Sequence, residues 1–408
     1  MDLSSIALLV GGEGWGLLQS LPPYDAGGEL ALQTRLRAAG FSPEVVSAAL
    51  AQSRLRARGR DKFGPFADGM LLTPDGLEQA TRLEVAARHA SRYLRAEIRA
   101  VHDLGCGIGA DAMALAGLDL AVRAVDSDEV TAVVAGVNLR HWPDAKVAHA
   151  RAEDVTLPRG EATRHTGLWL DPARRVRGAA DITGRTRRVF SLDAISPTWE
   201  QVQGFARTVP ATGVKLSPAF PHQEVPAGAE AAWTSWNGQV VECAVWWGPL
   251  VQHAGRTATV CRPGAATITL TEADAEEAPE PLDRLGRLGS FVYEADRAVI
   301  RAGLSGALAL AVDGVELDRG VGYVSSDRPL DIPWAHRYSV VEAMPWNVKA
   351  LRGWLRDNDI GRLTIKKRGV PLDPEAVRRQ LRLKGAAEAT MILTRVRSQP
   401  HVLVVRPA

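Results

Sequence analysis

Apolar positions recur along this chain with two periods, and the switches between them mark out its parts. Up to about residue 97 the spacing is helical. Pro43–Arg58 opens behind Ser42, a good N-cap, with Pro43 at the first helical position. Pro74–Leu94 repeats the device behind Thr73, and Leu77, Leu83, Val85, Ala86 and Tyr93 are available for one buried stripe, so a single helix is expected there. Between the two, Lys62, Phe63, Phe66, Met70 and Leu71 form a cluster read as core in preference to a lid over a ligand.

From about 98 to 250 short apolar runs alternate with helical segments. Strands are expected at Ile98–Leu104, Ala121–Val125, Lys146–Ala150, Gly167–Leu170 and Gly213–Leu216, and helices at Ala110–Leu118, Asp128–Leu139 and near Pro197–Ala206. This order predicts an α/β fold with right-handed crossovers and a mostly parallel sheet. Asn237-Gly238, between Ala232–Trp236 and Gln239–Trp247, signals an antiparallel hairpin closing that sheet. Residues 251–333 read as a β-rich, irregular connection with an exposed acidic linker, Glu272–Asp283. Residues 334–408 read as a small β-α-β-α-β-β domain. Four regions are therefore expected: helical 1–97, α/β 98–250, connecting 251–333, and α+β 334–408.

Length agrees with this division, since 408 residues exceed one ordinary core. The hydrophobic content of 46% and charged content of 24% exclude a globally disordered chain. Cys106, Cys243 and Cys261 are few and odd in number, which argues against a disulfide framework and for a reducing, cytoplasmic setting. Ile6–Val10 is too short for a signal or spanning segment, so no membrane association is expected. The His and Cys spacings match no metal site, and no metal is expected. Charge is uneven: from Lys349 onward 14 Lys/Arg face 5 Asp/Glu, a net +9 in a chain of net +2. A polyanion partner and a merely solvated basic face account for that equally well.

The candidate chemistry starts at Asp103–Asp111 (DLGCGIGAD). Gly105, Gly107 and Gly109 fall between a strand and a helix, where glycine lets the backbone turn tightly and approach a ligand. Gly105, Gly107 and Ala110 also satisfy the dinucleotide pattern G-x-G-x-x-A. Against a pyrophosphate stand the Asp103 charge just before the turn, which suits an ammonium and a sulfonium, and the shifted Gly109. Asp126 ends the second strand, where an acid can hold both ribose hydroxyls; Ser127 or Asp128 is left to cap the following helix. Asp171-Pro172-Ala173-Arg174 follows the fourth strand, where α/β sheets place ligands. Asp171 there can orient a nucleophile or act as a base, and Arg174, Arg175 and Arg177 can clamp phosphate. His102 and Cys106 read as structural, and Trp233, Trp236, Trp246 and Trp247 as packing.

The glycine signature resembles that of the class I S-adenosylmethionine-dependent methyltransferases. That resemblance implies S-adenosylmethionine as cofactor, an acid after the third strand (Asp154 in preference to Glu153) meeting the adenine amine, and catalytic roles for Asp171, Pro172 and Arg174. Amine-methylating relatives carry (D/N)-P-P-(Y/F/W) at this loop; Ala173 and Arg174 depart from it. The chain as a whole resembles actinobacterial-type methyltransferases with a C-terminal THUMP-like domain, through Ala80–Arg88, Ser196-Pro197, Val214–Ala231, Gly289–Leu304, Pro345–Lys349 and Arg362–Val370. That implies an RNA substrate; the basic domain fits it, since Lys366, Lys367 and Arg368, and Arg378, Arg379, Arg382 and Lys384 on or just after the expected helix Pro374–Leu383, can contact phosphates. A methyltransferase for a small molecule or protein, and a non-catalytic cofactor-binding protein, remain alternatives.

Overall fold

The computed structural model describes residues 2–174 and 192–408. Contacts divide the chain into two compact units, Met1–Leu216 with Val245–Val251, and Ser217–Ala244 with Gln252–Ala408.

The first unit opens with the helices Leu3–Val10, Gly12–Ser20, Glu29–Ala38 and Pro43–Phe63. Ser42 caps the last of these by accepting from the Val45 amide. The span expected as one helix over Pro74–Leu94 is two, Pro74–Gln79 and Leu83–Arg95. Its periodicity is genuine, but a tertiary contact breaks it: the Lys62 ammonium takes the carbonyls of Leu77, Glu78 and Ala80 at 2.7–2.8 Å, and Ala80 and Arg82 turn extended. Lys62 thereby acts as a C-terminal cap. Around it Phe63, Met70 and Leu71 are buried core, while Phe66 is exposed.

Five parallel strands follow, adjacent in the order Ala145–His149, Ala121–Asp126, Ala100–Leu104, Thr166–Leu170, Thr212–Leu216. The helices Ala110–Ala116, Glu129–Asn138 and Trp199–Thr208 lie between them in sequence. Within this unit's core Trp169 stacks on Trp246 with ring centroids 5.2 Å apart, and His89 lies 4.4 Å from Trp169. Asn138 ties the incoming segment to the glycine turn, exchanging hydrogen bonds with Leu71 N–H and C=O and donating to the Ile108 carbonyl.

In the second unit Glu230–Trp236 runs into the Asn237-Gly238 turn and then into the neighbouring strand that begins at Gln239, as the hairpin signal predicts. The sheet does not end there, because Gly255–Cys261 pairs parallel to Glu230–Trp236, and Ile268–Thr271 pairs antiparallel beyond it. The connecting region, expected to be β-rich and irregular, also holds two helices, Arg297–Ala302 and Ser305–Ala311. They are only six and seven residues long, so little helical period shows in the sequence.

The C-terminal domain has the expected order: Ala335–Pro345, Val348–Asp357, Ile360–Lys367, Pro374–Leu381, Ala387–Val396, Gln399–Pro407. Its strands share a seven-stranded sheet with Val315–Glu316, Tyr323–Ser326 and Phe291–Ala295. Leu351, Leu355, Val377 and Leu381 from its two helices pack with Leu363, Met391 and Val402 in one core, while Val292, Tyr323, Ile392 and Leu403 build another. Among the described residues no helix is long and apolar enough to cross a membrane.

Candidate functional site

Asp103, Asp126, Asp171 and Lys215 lie at or just beyond the carboxyl ends of parallel strands in the first unit, the edge where such sheets bind ligands. Asp103 is wholly buried, and neither carboxylate oxygen has a hydrogen-bond partner among the described residues. Burial pushes it well above the usual carboxylate range, and the charges of Asp111, Asp171 and Asp126 add to the shift, opposed by Lys215. A buried carboxyl without a donor is costly unless a ligand supplies one. This fits a ligand that presents an ammonium group.

The turn after Asp103 requires its glycines. Gly105, Gly107 and Gly109 have φ of +92°, +56° and +87°, a region that favours glycine. A β-carbon on Gly105 would also meet the Asp171 carbonyl oxygen at 2.8 Å. Asp126 is fixed from two sides, its Oδ2 accepting from Gly107 N–H and its Oδ1 from Asp128 N–H, both at 2.9 Å. Burial raises its pKa. Asp128, not Asp126, caps the following helix by accepting from the Thr131 amide. After the third strand Asp154 is exposed, whereas Glu153 is half-buried and accepts from the Ser196 hydroxyl at 3.4 Å.

Beyond the fourth strand the Asp171 carboxylate meets the Lys215 ammonium at 2.6 Å. Pro172 is buried, and Ala173–Arg174 pairs antiparallel with Ile195–Ser196, ahead of the cis Ser196-Pro197 peptide. Arg175 and Arg177 lie outside the described residues. Lys215 was not singled out from the sequence; the available signal was a lone cation inside the apolar strand TGVKL. A second missed pair lies beneath the turn, where His89 Nδ1 and Asp111 Oδ1 are 2.8 Å apart and both side chains are nearly out of solvent. Burial alone would raise the Asp111 pKa, but the His89 hydrogen bond and charge bring it below the usual range.

The basic trio in the second unit is divided. Lys366 pairs with Glu294 Oε2 at 2.6 Å and Arg368 with Glu294 Oε1 at 3.3 Å, and their cationic groups lie over the rings of Tyr338 and Tyr323. Only Lys367 of the three is exposed. Arg379, Arg382 and Lys384 are exposed as well. Trp233 and Trp246 are packed in the interior, and Trp236 and Trp247 are partly covered. Among the described residues no group of three His, Cys, Asp or Glu side chains is arranged to hold a metal.

Residues 335–407 match the family described as THUMP domain-like, and residues 2–59 match a domain of unknown function, DUF8688. Relatives in two strains of Mycobacterium tuberculosis, each described as an uncharacterized S-adenosylmethionine-dependent methyltransferase, are 32% identical over 358 residues, covering 84% of this chain and 90% of theirs. A solved structure described as a methyltransferase from Porphyromonas gingivalis W83 shares the fold, with a TM-score of 0.67 at 19% identity over 95% of this chain and 100% of its own. At the identity and coverage of the mycobacterial relatives, the chain belongs to the S-adenosylmethionine-dependent methyltransferases, in a form that carries a THUMP-like domain at its C-terminal end.

Proposed function

We propose that this enzyme methylates RNA, using its basic C-terminal domain to dock the substrate. The observation that carries the reading is the THUMP-like match over 335–407 on the part of the chain where Lys367, Arg379, Arg382 and Lys384 stand exposed. Such side chains bind phosphate without reading sequence. Lys366 and Arg368, engaged by Glu294, belong to the domain's internal structure in this reading.

The cofactor supplies a methyl group already activated on a sulfonium, so the protein's task is alignment. Gly105, Gly107 and Gly109 would let the backbone close on it. The Asp103 oxygens would receive its ammonium, Asp126 its ribose hydroxyls, and Asp154, or the neighbouring Glu153, its adenine amine. Asp171, Pro172 and Arg174 would serve the acceptor in this reading, and Arg175, which lies outside the described residues, would bind phosphate.

Labelled-methyl transfer to total RNA, compared between wild type and Asp171→Ala, tests the reading. Transfer that the substitution abolishes supports it. RNA affinity should fall with rising salt, and charge reversal at Lys367, Arg379, Arg382 and Lys384 should flatten that dependence by roughly 0.7–0.9 log units for each phosphate no longer neutralised. RNA binding that is absent at every salt concentration sinks it.

A further inference from the structure

The carboxylate at the acceptor end of the site is charge-paired. Lys215 holds Asp171 Oδ2 at 2.6 Å and also donates to the Gln79 carbonyl at 3.2 Å. Its side chain is 15% exposed against 35% for Asp171, so the contact is partly sheltered from water. Lys62 reaches the same helix end, donating to Leu77, Glu78 and Ala80, and burial together with the Lys215 charge lowers its pKa to about 8. The Lys62 charge is thus felt by Lys215, the cation that meets the Asp171 carboxylate.

This balance discriminates between acceptors. Methylation of a neutral amine moves positive charge onto nitrogen, and a carboxylate already met by a cation offsets that charge poorly. Methylation of a hydroxyl asks for the opposite: the oxygen must shed a proton and gather negative charge. A carboxylate can take the proton, and an ammonium beside it stabilises the developing anion.

We propose that Asp171 and Lys215 act as a pair on a hydroxyl acceptor, Asp171 receiving the proton and Lys215 serving as the positioning residue that keeps Asp171 ionised and oriented. An oxygen lone pair forms the bond to the methyl carbon, and the carbon–sulfur bond breaks with its electron pair left on sulfur, which becomes an uncharged thioether. The hydroxyl proton passes to Asp171 and then to solvent. If the substrate is RNA the hydroxyl is that of the ribose; this choice rests on the RNA reading, whereas oxygen over nitrogen does not.

The test uses the full chain with methyl-labelled S-adenosylmethionine and three fractions from cells lacking the gene: total RNA, total protein and small molecules. The expected result is label on the ribose 2′ oxygen after digestion of the RNA to nucleosides. Label on an oxygen in another fraction upholds the Asp171–Lys215 pair and sinks the RNA reading. Label on a nitrogen or carbon, or in no fraction, overturns the proposal.

With the acceptor in hand and cofactor saturating, Lys215→Met should lose on the order of 100-fold in kcat with little change in the KM for the acceptor. The acid limb of its pH–rate profile should move to higher pH, because a carboxylate that has lost a neighbouring cation protonates more easily. Lys215→Arg should recover most of the rate. An unmoved pH profile in Lys215→Met, or no recovery by Lys215→Arg, leaves Lys215 without this role.

Discussion

The Gly105 α-carbon lies so close to Asp171 that a β-carbon there would stand 2.8 Å from the Asp171 carbonyl oxygen. Two segments more than 60 residues apart in sequence thus meet backbone to backbone, at paired strand ends where Leu104 is in register with Leu170. The turn proposed for the cofactor and the loop proposed for the acceptor share this approach, and change at one is felt at the other.

Gly105→Ala should therefore be the most damaging of the turn substitutions. It adds a clash to a φ of +92°, at a cost on the order of 1–3 kcal/mol, and displaces Asp171. Gly107→Ala, at φ +56° with open space around it, should cost less and keep its amide on Asp126. Denaturant unfolding and calorimetric binding of S-adenosylhomocysteine rank the two; an equal loss in both would contradict the packing argument.

Asp103 gives a pH dependence with a definite sign. Its pKa in the folded chain lies above the unfolded value, so its contribution is fully present below pH ~4 and is lost as pH rises toward the folded pKa. Asp103→Asn should make the cofactor-free protein more stable than wild type at neutral pH. The gap should widen with pH by no more than about 1.4 kcal/mol per unit. If Asp103 ionises to receive an ammonium, cofactor binding releases a proton, measurable by calorimetry in buffers of different ionisation enthalpy.

The Glu294 cluster should behave in the opposite sense. Burial alone would raise the Glu294 pKa, but the Lys366 hydrogen bond and charge, with Arg368, hold it below the usual range. Stability from this cluster is present above the ordinary glutamate pKa and lost as pH falls through the folded one. Lys366→Met should cost about 1.5–3 kcal/mol at neutral pH and reduce the acid sensitivity of unfolding, whereas Lys367→Met should leave both unchanged.

His89→Ala should destabilise the first unit by about 3–5 kcal/mol, because it strands the buried Asp111 carboxylate. It also removes the ring lying against Trp169 and Trp246, so tryptophan fluorescence should change before unfolding begins. Asp111→Asn, which keeps a hydrogen-bonding partner for His89, should cost less. Reversal of that order in chemical denaturation would mean that the charge on Asp111 is not what His89 serves.

Much of the architecture was legible because local chemistry demands it. Three glycines between an apolar strand and a helix can do little but turn, and Gly105, Gly107 and Gly109 all adopt positive φ. The strand order in sequence, the Asn237-Gly238 hairpin and the C-terminal β-α-β-α-β-β order likewise rest on period and turn chemistry. The failures have two physical causes. Pro74–Leu94 carries a sound helical pattern, but its break is imposed by Lys62 from outside the segment. Arg297–Ala311 was missed because its two helices are only six and seven residues long, too short for a helical period to show.

Charge pairing was the part that sequence could not supply. Asp171 meets Lys215 across 44 residues, Glu294 meets Lys366 across 72, and His89 meets Asp111 across 22. The sequence by itself determined the glycine turn, the acids at the strand ends and the basic surplus from Lys349 onward, since these follow from residue type and spacing. Only the tertiary structure decided which acid is bare, which is paired and which cations remain exposed, because electrostatic partners are chosen by distance and burial, and neither is written in the order of residues along the chain.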